Sequence, residues 1–103
     1  MANWIKVARV VDCPPGECRE LIGGDRIVAL FNVDGEFHAL DGICPHQGGP
    51  LGQGRLTGCI VTCPWHGWQF DVRTGQHQSI APLRHMSLPT KVEQDEVLVD
   101  VEP

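Results

Sequence analysis

Two short stretches, Cys44-Pro45-His46 and Cys63-Pro64-Trp65-His66, constrain this chain more than any other part of it. Each reads as a loop tip carrying a cysteine, a proline and a histidine, and 16 residues separate His46 from Cys63. Thiolates and imidazoles bind borderline and soft metals, so two mixed pairs make a four-ligand site. Taken singly, a cysteine is usually a small buried apolar residue and a histidine a surface one. That ordinary reading would have to hold twice over here. The proline after each cysteine argues against it, because it stiffens the loop and removes an amide that would otherwise need a partner. A fold of 103 residues has little surface to bury, and one metal site between two facing loops would help to hold it.

The rest of the chain supplies short β-type runs around those loops. Residues 4–7, 26–33, 36–40, 59–62 and 97–101 are rich in Val, Ile and Leu and read as strands. Gly23-Gly24, Asp34-Gly35, Thr74-Gly75 and Gln94-Asp95 are dipeptides suited to tight hairpin turns. No window keeps apolar residues at helical spacing, and 8 prolines with 12 glycines leave room for little helix. The expected class is therefore all-β. Residues 44–58 stand apart, with five glycines, two prolines and few residues able to fill a core, which points to function. The chain has no linker, low-complexity tract or repeat of domain size.

Charge narrows the partners. A formal net charge of −5 argues against a protein that neutralises phosphates, so nucleic acid is not an expected partner. The acidic excess lies in residues 1–43 and 81–103, whereas residues 44–80 carry only Arg55, Asp71 and Arg73. No stretch approaches the ~20 apolar residues of a membrane-spanning helix, and the first ten residues lack the features of a signal peptide. No membrane partner is expected, and the expected location is the cytoplasm. An odd number of cysteines, five, suits a reducing compartment with thiols serving as ligands.

The segments CPHQGGPLGQG and CPWHGWQFDVRTG resemble the two cluster-binding loops of Rieske proteins, whose pattern is Cys-x-His and, about sixteen residues on, Cys-x-x-His. Gly67, Phe70-Asp71 and Thr74-Gly75 belong to the same likeness, and the strand pattern extends it over nearly the whole chain. The resemblance implies a Rieske fold of antiparallel β-sheets over residues 1–103. A small cluster-binding part of about 43–81 would be inserted in a basal β domain of about 1–42 and 82–103. It further implies one [2Fe-2S] cluster, with one iron on Cys44 and Cys63 and the other on His46 and His66. Replacing two cysteinates by neutral imidazoles lowers the negative charge of the centre, which raises its potential into a range of about −150 to +300 mV.

Rieske proteins of cytochrome complexes add a loop disulfide, and a serine and a tyrosine that donate to the cluster. Gly49 and Trp65 stand in the places of those cysteines, and Trp68 and Phe70 in those of the hydroxyl residues. Fewer donors stabilise less negative charge on reduction, so the lower end of the range is expected. The implied role is a one-electron relay, not an enzyme, between an NAD(P)H-linked reductase and a terminal oxygenase. The runner-up is the small subunit of NADH-dependent nitrite reductase, partnered by its large subunit. A structural zinc module is a third possibility, although zinc fingers usually keep like ligands close together.

Other residues have plainer readings. Cys13, Cys18 and Cys59 are expected to be ordinary thiols, with Cys59 opening a buried strand, and His38, His77 and His85 to be surface residues. Trp65 either shields the site or faces a partner, and Trp68 anchors its loop. Pro82 matches the position of a third loop that covers the cluster in Rieske domains. A transient redox contact is small, below about 1,200 Å², and Pro45, Leu51, Pro64 and Trp65 are the expected apolar contributors.

Overall fold

The computed structural model describes residues 2–45, 48–65 and 67–103. Its strands are β1 (Trp4–Arg9), β2 (Cys18–Gly23), β3 (Arg26–Val33), β4 (Glu36–Asp41), β5 (Arg55–Thr57), β6 (Ile60–Thr62), β7 (Gln69–Asp71), β8 (Ser87–Leu88), β9 (Thr90–Glu93) and β10 (Glu96–Asp100). They form three antiparallel sheets, ordered β1-β10-β9, β2-β3-β4-β8 and β5-β6-β7. The fold is nearly all β, as the apolar runs and turn dipeptides imply.

Strand β3 explains how one chain of this length has two cores. Its run IVALFNV is buried on both faces, and alternation sends successive side chains to opposite sides. Val28 and Leu30 join Phe37, Ala39, Val97 and Val99 between the first two sheets. Ala29 and Phe31 face the other way and pack with Leu40, Leu51, Val61, Phe70 and Val72. Cys44 and Cys63 belong to this second core, so the cysteine loops stand on the sheet face opposite the first core.

Several local expectations shift. Gly23 pairs with Arg26, so the β2–β3 turn is Gly24-Asp25, with Gly24 at φ +61°. Asp34-Gly35 makes its hairpin with both residues left-handed. Cys59 does not open a strand: it sits with Gly58 in the β5–β6 turn, because Thr57 pairs with Ile60. Strand β2 escapes the apolar pattern because its residues are mostly half-buried or exposed. The glycine-rich stretch also contributes to packing, through a 3-10 turn at Leu51–Gln53 that buries Leu51 completely.

Candidate metal centre

Both cysteine loops are six-residue connections closed in the same way at their ends. An antiparallel bridge between Ile43 and Pro50 brackets residues 44–49, and the β6–β7 pair Thr62 with Gln69 brackets residues 63–68. In each loop the cysteine comes first, and its N–H donates to the carbonyl of the sixth residue, Cys44 to Gly49 and Cys63 to Trp68, both at 2.8 Å. The fifth residue is a left-handed glycine in both, Gly48 at φ +75° and Gly67 at +73°. This repeat was legible in the sequence as Cys-Pro-x-x-Gly, a fuller echo than the cysteine, proline and histidine alone.

The two loops meet at Gly49. A Cβ built there would lie 2.7 Å from Cys63 Sγ and 3.0 Å from Trp65 Cβ. No side chain fits, so glycine is what allows the loops to abut. Gly49 and Trp65 therefore face each other, as their likeness to a disulfide pair requires. Cys44 and Cys63 are buried, Pro45 and Pro64 are exposed, and Trp65 is 49% exposed. His46 and His66, the other two expected ligands, lie outside the described residues.

Beneath the Cys63 loop lies a cluster of rings that the sequence reading missed. Phe70 is fully buried, with the His77 ring centroid 5.2 Å and the His85 centroid 5.6 Å away, and Trp68 stands 4.7 Å from His77 at 90°. His77 and His85 are thus buried, which corrects the expectation that both lie on the surface. Their polar neighbours in sequence concealed this; the signal was the return of the chain after Thr74-Gly75, which bridges His77 to Phe70. His85 donates through Nε2 to the Asp41 carbonyl at 2.8 Å, tying Phe70 to the strand that leads into Cys44. His38 is half-buried beside Glu36, 2.7 Å away. Leu51 is core rather than loop tip, so it leaves the set of contact residues; Ile43, 48% exposed next to Cys44, is a candidate in its place.

The remaining cysteines behave as thiols. No disulfide joins any of the five. Burial pushes the Cys13 thiol up to about 11 and raises that of Cys18, so both stay protonated near neutrality. Cys13 donates to the Glu17 carbonyl and Cys18 to that of Gly54. At the foot of the ring cluster, the Arg73 guanidinium grips Asp71 through two nitrogens at 3.1 and 2.8 Å and lowers the pKa of that carboxyl.

Two like loops that abut, each with a buried cysteine, are compatible with a shared metal centre, and the comparison with known families identifies which. The Rieske [2Fe-2S] domain family matches residues 3–93. This chain belongs to that family. The ferredoxin component of the alkene monooxygenase system of Xanthobacter autotrophicus is 41% identical over 98% of this chain and 84% of its own length. The biphenyl dioxygenase ferredoxin subunit of a Pseudomonas species is 39% identical over 95% of this chain and 92% of its own. Among solved structures, a chain from the complex of reduced oxygenase and oxidized ferredoxin in carbazole 1,9a-dioxygenase superposes with a TM-score of 0.85. It is 31% identical and covers 94% of this chain and 92% of that one.

As a Rieske domain the chain carries one [2Fe-2S] cluster, a one-electron centre. The loops suit it: two soft sulfur donors, each held at the start of a closed six-residue frame, with a bare glycine where the frames touch. The zinc reading is thereby set aside. The relatives are electron-transfer components of oxygenase systems, not their catalytic parts.

Proposed function

We propose that this chain relays single electrons from an NAD(P)H-linked reductase to a terminal oxygenase, on a cluster held by Cys44 and Cys63 at one iron and by His46 and His66 at the other. The observation that carries the ligand reading is the pair of matched loops abutting at Gly49, with both cysteines buried where they meet. The partner reading draws on relatives that are named ferredoxin components of oxygenase systems. The cluster supplies one reversible electron. The chain's residues hold it, exclude water on the core side and present the loop tips to a partner.

The same reading divides the domain into a basal part of about 1–42 and 82–103 and a cluster-binding part of about 43–81. The third sheet and both loops fall in the second range, which supports this division. Among the described residues no helix is long and apolar enough to cross a membrane. A cytoplasmic location suits a carrier fed from NAD(P)H and keeps the three other thiols reduced. The docking face we assign is the weakly charged tip, with Ile43, Pro45, Pro64 and Trp65 exposed.

His46→Ala and His66→Ala should each abolish the Rieske EPR and visible spectra, whereas His38→Ala should leave them intact. A His66→Ala protein with a normal reduced-state EPR signal would overturn the ligand set. Partner choice is read by stopped-flow transfer from the reduced protein to a terminal oxygenase and to the nitrite reductase large subunit. Productive reduction of the second alone would replace the oxygenase reading.

A further inference from the structure

His77 is a buried, titratable side chain that ligand binding does not use. Its Nδ1 accepts two backbone N–H groups, from Ser79 at 2.9 Å and Ile80 at 3.0 Å. The proton of the neutral ring is therefore on Nε2, which is buried with no hydrogen-bond partner among the described residues. A buried donor left unpaired is costly, and phenylalanine would pack against Trp68 and Phe70 without that cost. What histidine supplies and phenylalanine would not is an acceptor for the two amides. The neighbouring Gln76 side chain acts in the same way, donating to the carbonyls of Ala81 at 2.6 Å and Leu83 at 3.1 Å. The 79–83 segment is thus held by side chains on the strand-like return beside it.

That segment connects with the metal centre through one ring. His77 stands edge-on to Trp68, and the Trp68 carbonyl accepts the Cys63 N–H that closes the second loop. We propose that His77 is a positioning residue for the cluster: its neutral ring clamps the 79–83 segment over the Trp68–Phe70 pair, keeps water from that side of the Cys63 loop and so helps to set the reduction potential. The proposal rests on Cys63 being a ligand. Releasing the clamp admits water, and a more polar surround favours the more negative, reduced centre. The midpoint should therefore rise.

The test compares His77→Phe, which keeps a ring and removes the acceptor, with His77→Asn, whose Oδ1 offers an acceptor in its place. Both are made in the cluster-loaded protein and read by hydrogen-exchange mass spectrometry over residues 77–84 and by voltammetry. In His77→Phe exchange at Ser79 and Ile80 should quicken at least tenfold. The reduced-to-oxidised ratio at fixed potential should rise severalfold, up to the tenfold that corresponds to about 59 mV for one electron. His77→Asn should restore most of both. Ser79→Pro keeps the ring, removes one donor and should move both readouts the same way by less, which keeps the test open if His77→Phe fails to fold. Unchanged exchange and potential in Ser79→Pro and His77→Phe would overturn the clamp. Faster exchange at an unchanged potential would overturn its role at the cluster, and His77→Asn behaving as His77→Phe would overturn the acceptor as its basis. A Rieske spectrum surviving Cys63→Ser would instead overturn the ligand set, a failure the exchange data do not share.

Discussion

The two cysteine loops share a closing hydrogen bond and a left-handed glycine, and have opposite supports. The loop at 44–49 closes on Gly49, which must be bare because it faces the other loop across the centre. The loop at 63–68 closes on Trp68, whose side chain packs against the second core and stands edge-on to His77. The sixth position is thus glycine where it points at the site and tryptophan where it points at the core. A repeated frame does not need a repeated sequence: each position answers to what lies opposite it.

The largest test of this asymmetry removes the support beneath each loop. Phe70→Ala should cost about 3–5 kcal/mol and Leu51→Ala about 2–5 kcal/mol, measured by urea unfolding of the loaded protein. Phe70 should be the costlier, because the rings of Trp68, His77 and His85 also rest on it. Equal costs would mean that the ring cluster adds nothing beyond one buried side chain. Leu51→Asp should prevent folding, since it buries a charge in the second core.

Next in size is Gly49→Ala. The added methyl meets Cys63 Sγ and Trp65, so the loops must part; we expect loss of about 1–3 kcal/mol and less than half the iron per chain. Gly58→Ala is the control. It carries left-handed strain of about 1–2 kcal/mol with open space around it, so iron content should stay at the wild-type level. Full cluster loading in Gly49→Ala would show that the loops do not meet as tightly as their steric fit implies.

A smaller effect concerns potential. Phe70 lies under the Cys63 loop and lacks a hydroxyl, as does Trp68, so voltammetry should give a midpoint in the lower half of the range of about −150 to +300 mV. Phe70→Tyr should raise it by less than a tenfold change in ratio, under about 59 mV. A wild-type value in the upper half would mean that backbone donors of the loops outweigh the missing hydroxyls.

The smallest effect is the pH dependence added by Asp71. Its pKa is lower folded than unfolded because Arg73 hydrogen-bonds and pairs with it. Its contribution is therefore complete above the unfolded value near 3.8 and is lost as pH falls through the folded one. Arg73→Gln should lower stability slightly at neutral pH, flatten the acid limb and meet the wild-type profile at the lowest pH, where Asp71 is protonated in both states. An identical acid limb would show that the exposed guanidinium contributes nothing.

Much of this was legible in residue order, because it depends on near neighbours. Paired Cys-Pro tips mark the metal loops, Asp34-Gly35 marks its hairpin through left-handed backbone, and the unbroken apolar run of β3 marks a strand buried on both faces. Other features depend on contacts between segments far apart in the chain. Leu51 sits among glycines and looks like a loop-tip residue until the 3-10 turn folds it under β3. His77 and His85 sit among polar residues and look exposed until the turn at Thr74-Gly75 brings the first beside Phe70 and the Asp41 carbonyl captures the second. The sequence by itself determined the family pattern of the two loops, the candidate ligands it names and the strands that flank them, since ligand chemistry and turn propensity are local. Only the tertiary structure decided which residues support the centre, because burial is set by what a distant strand places opposite each side chain.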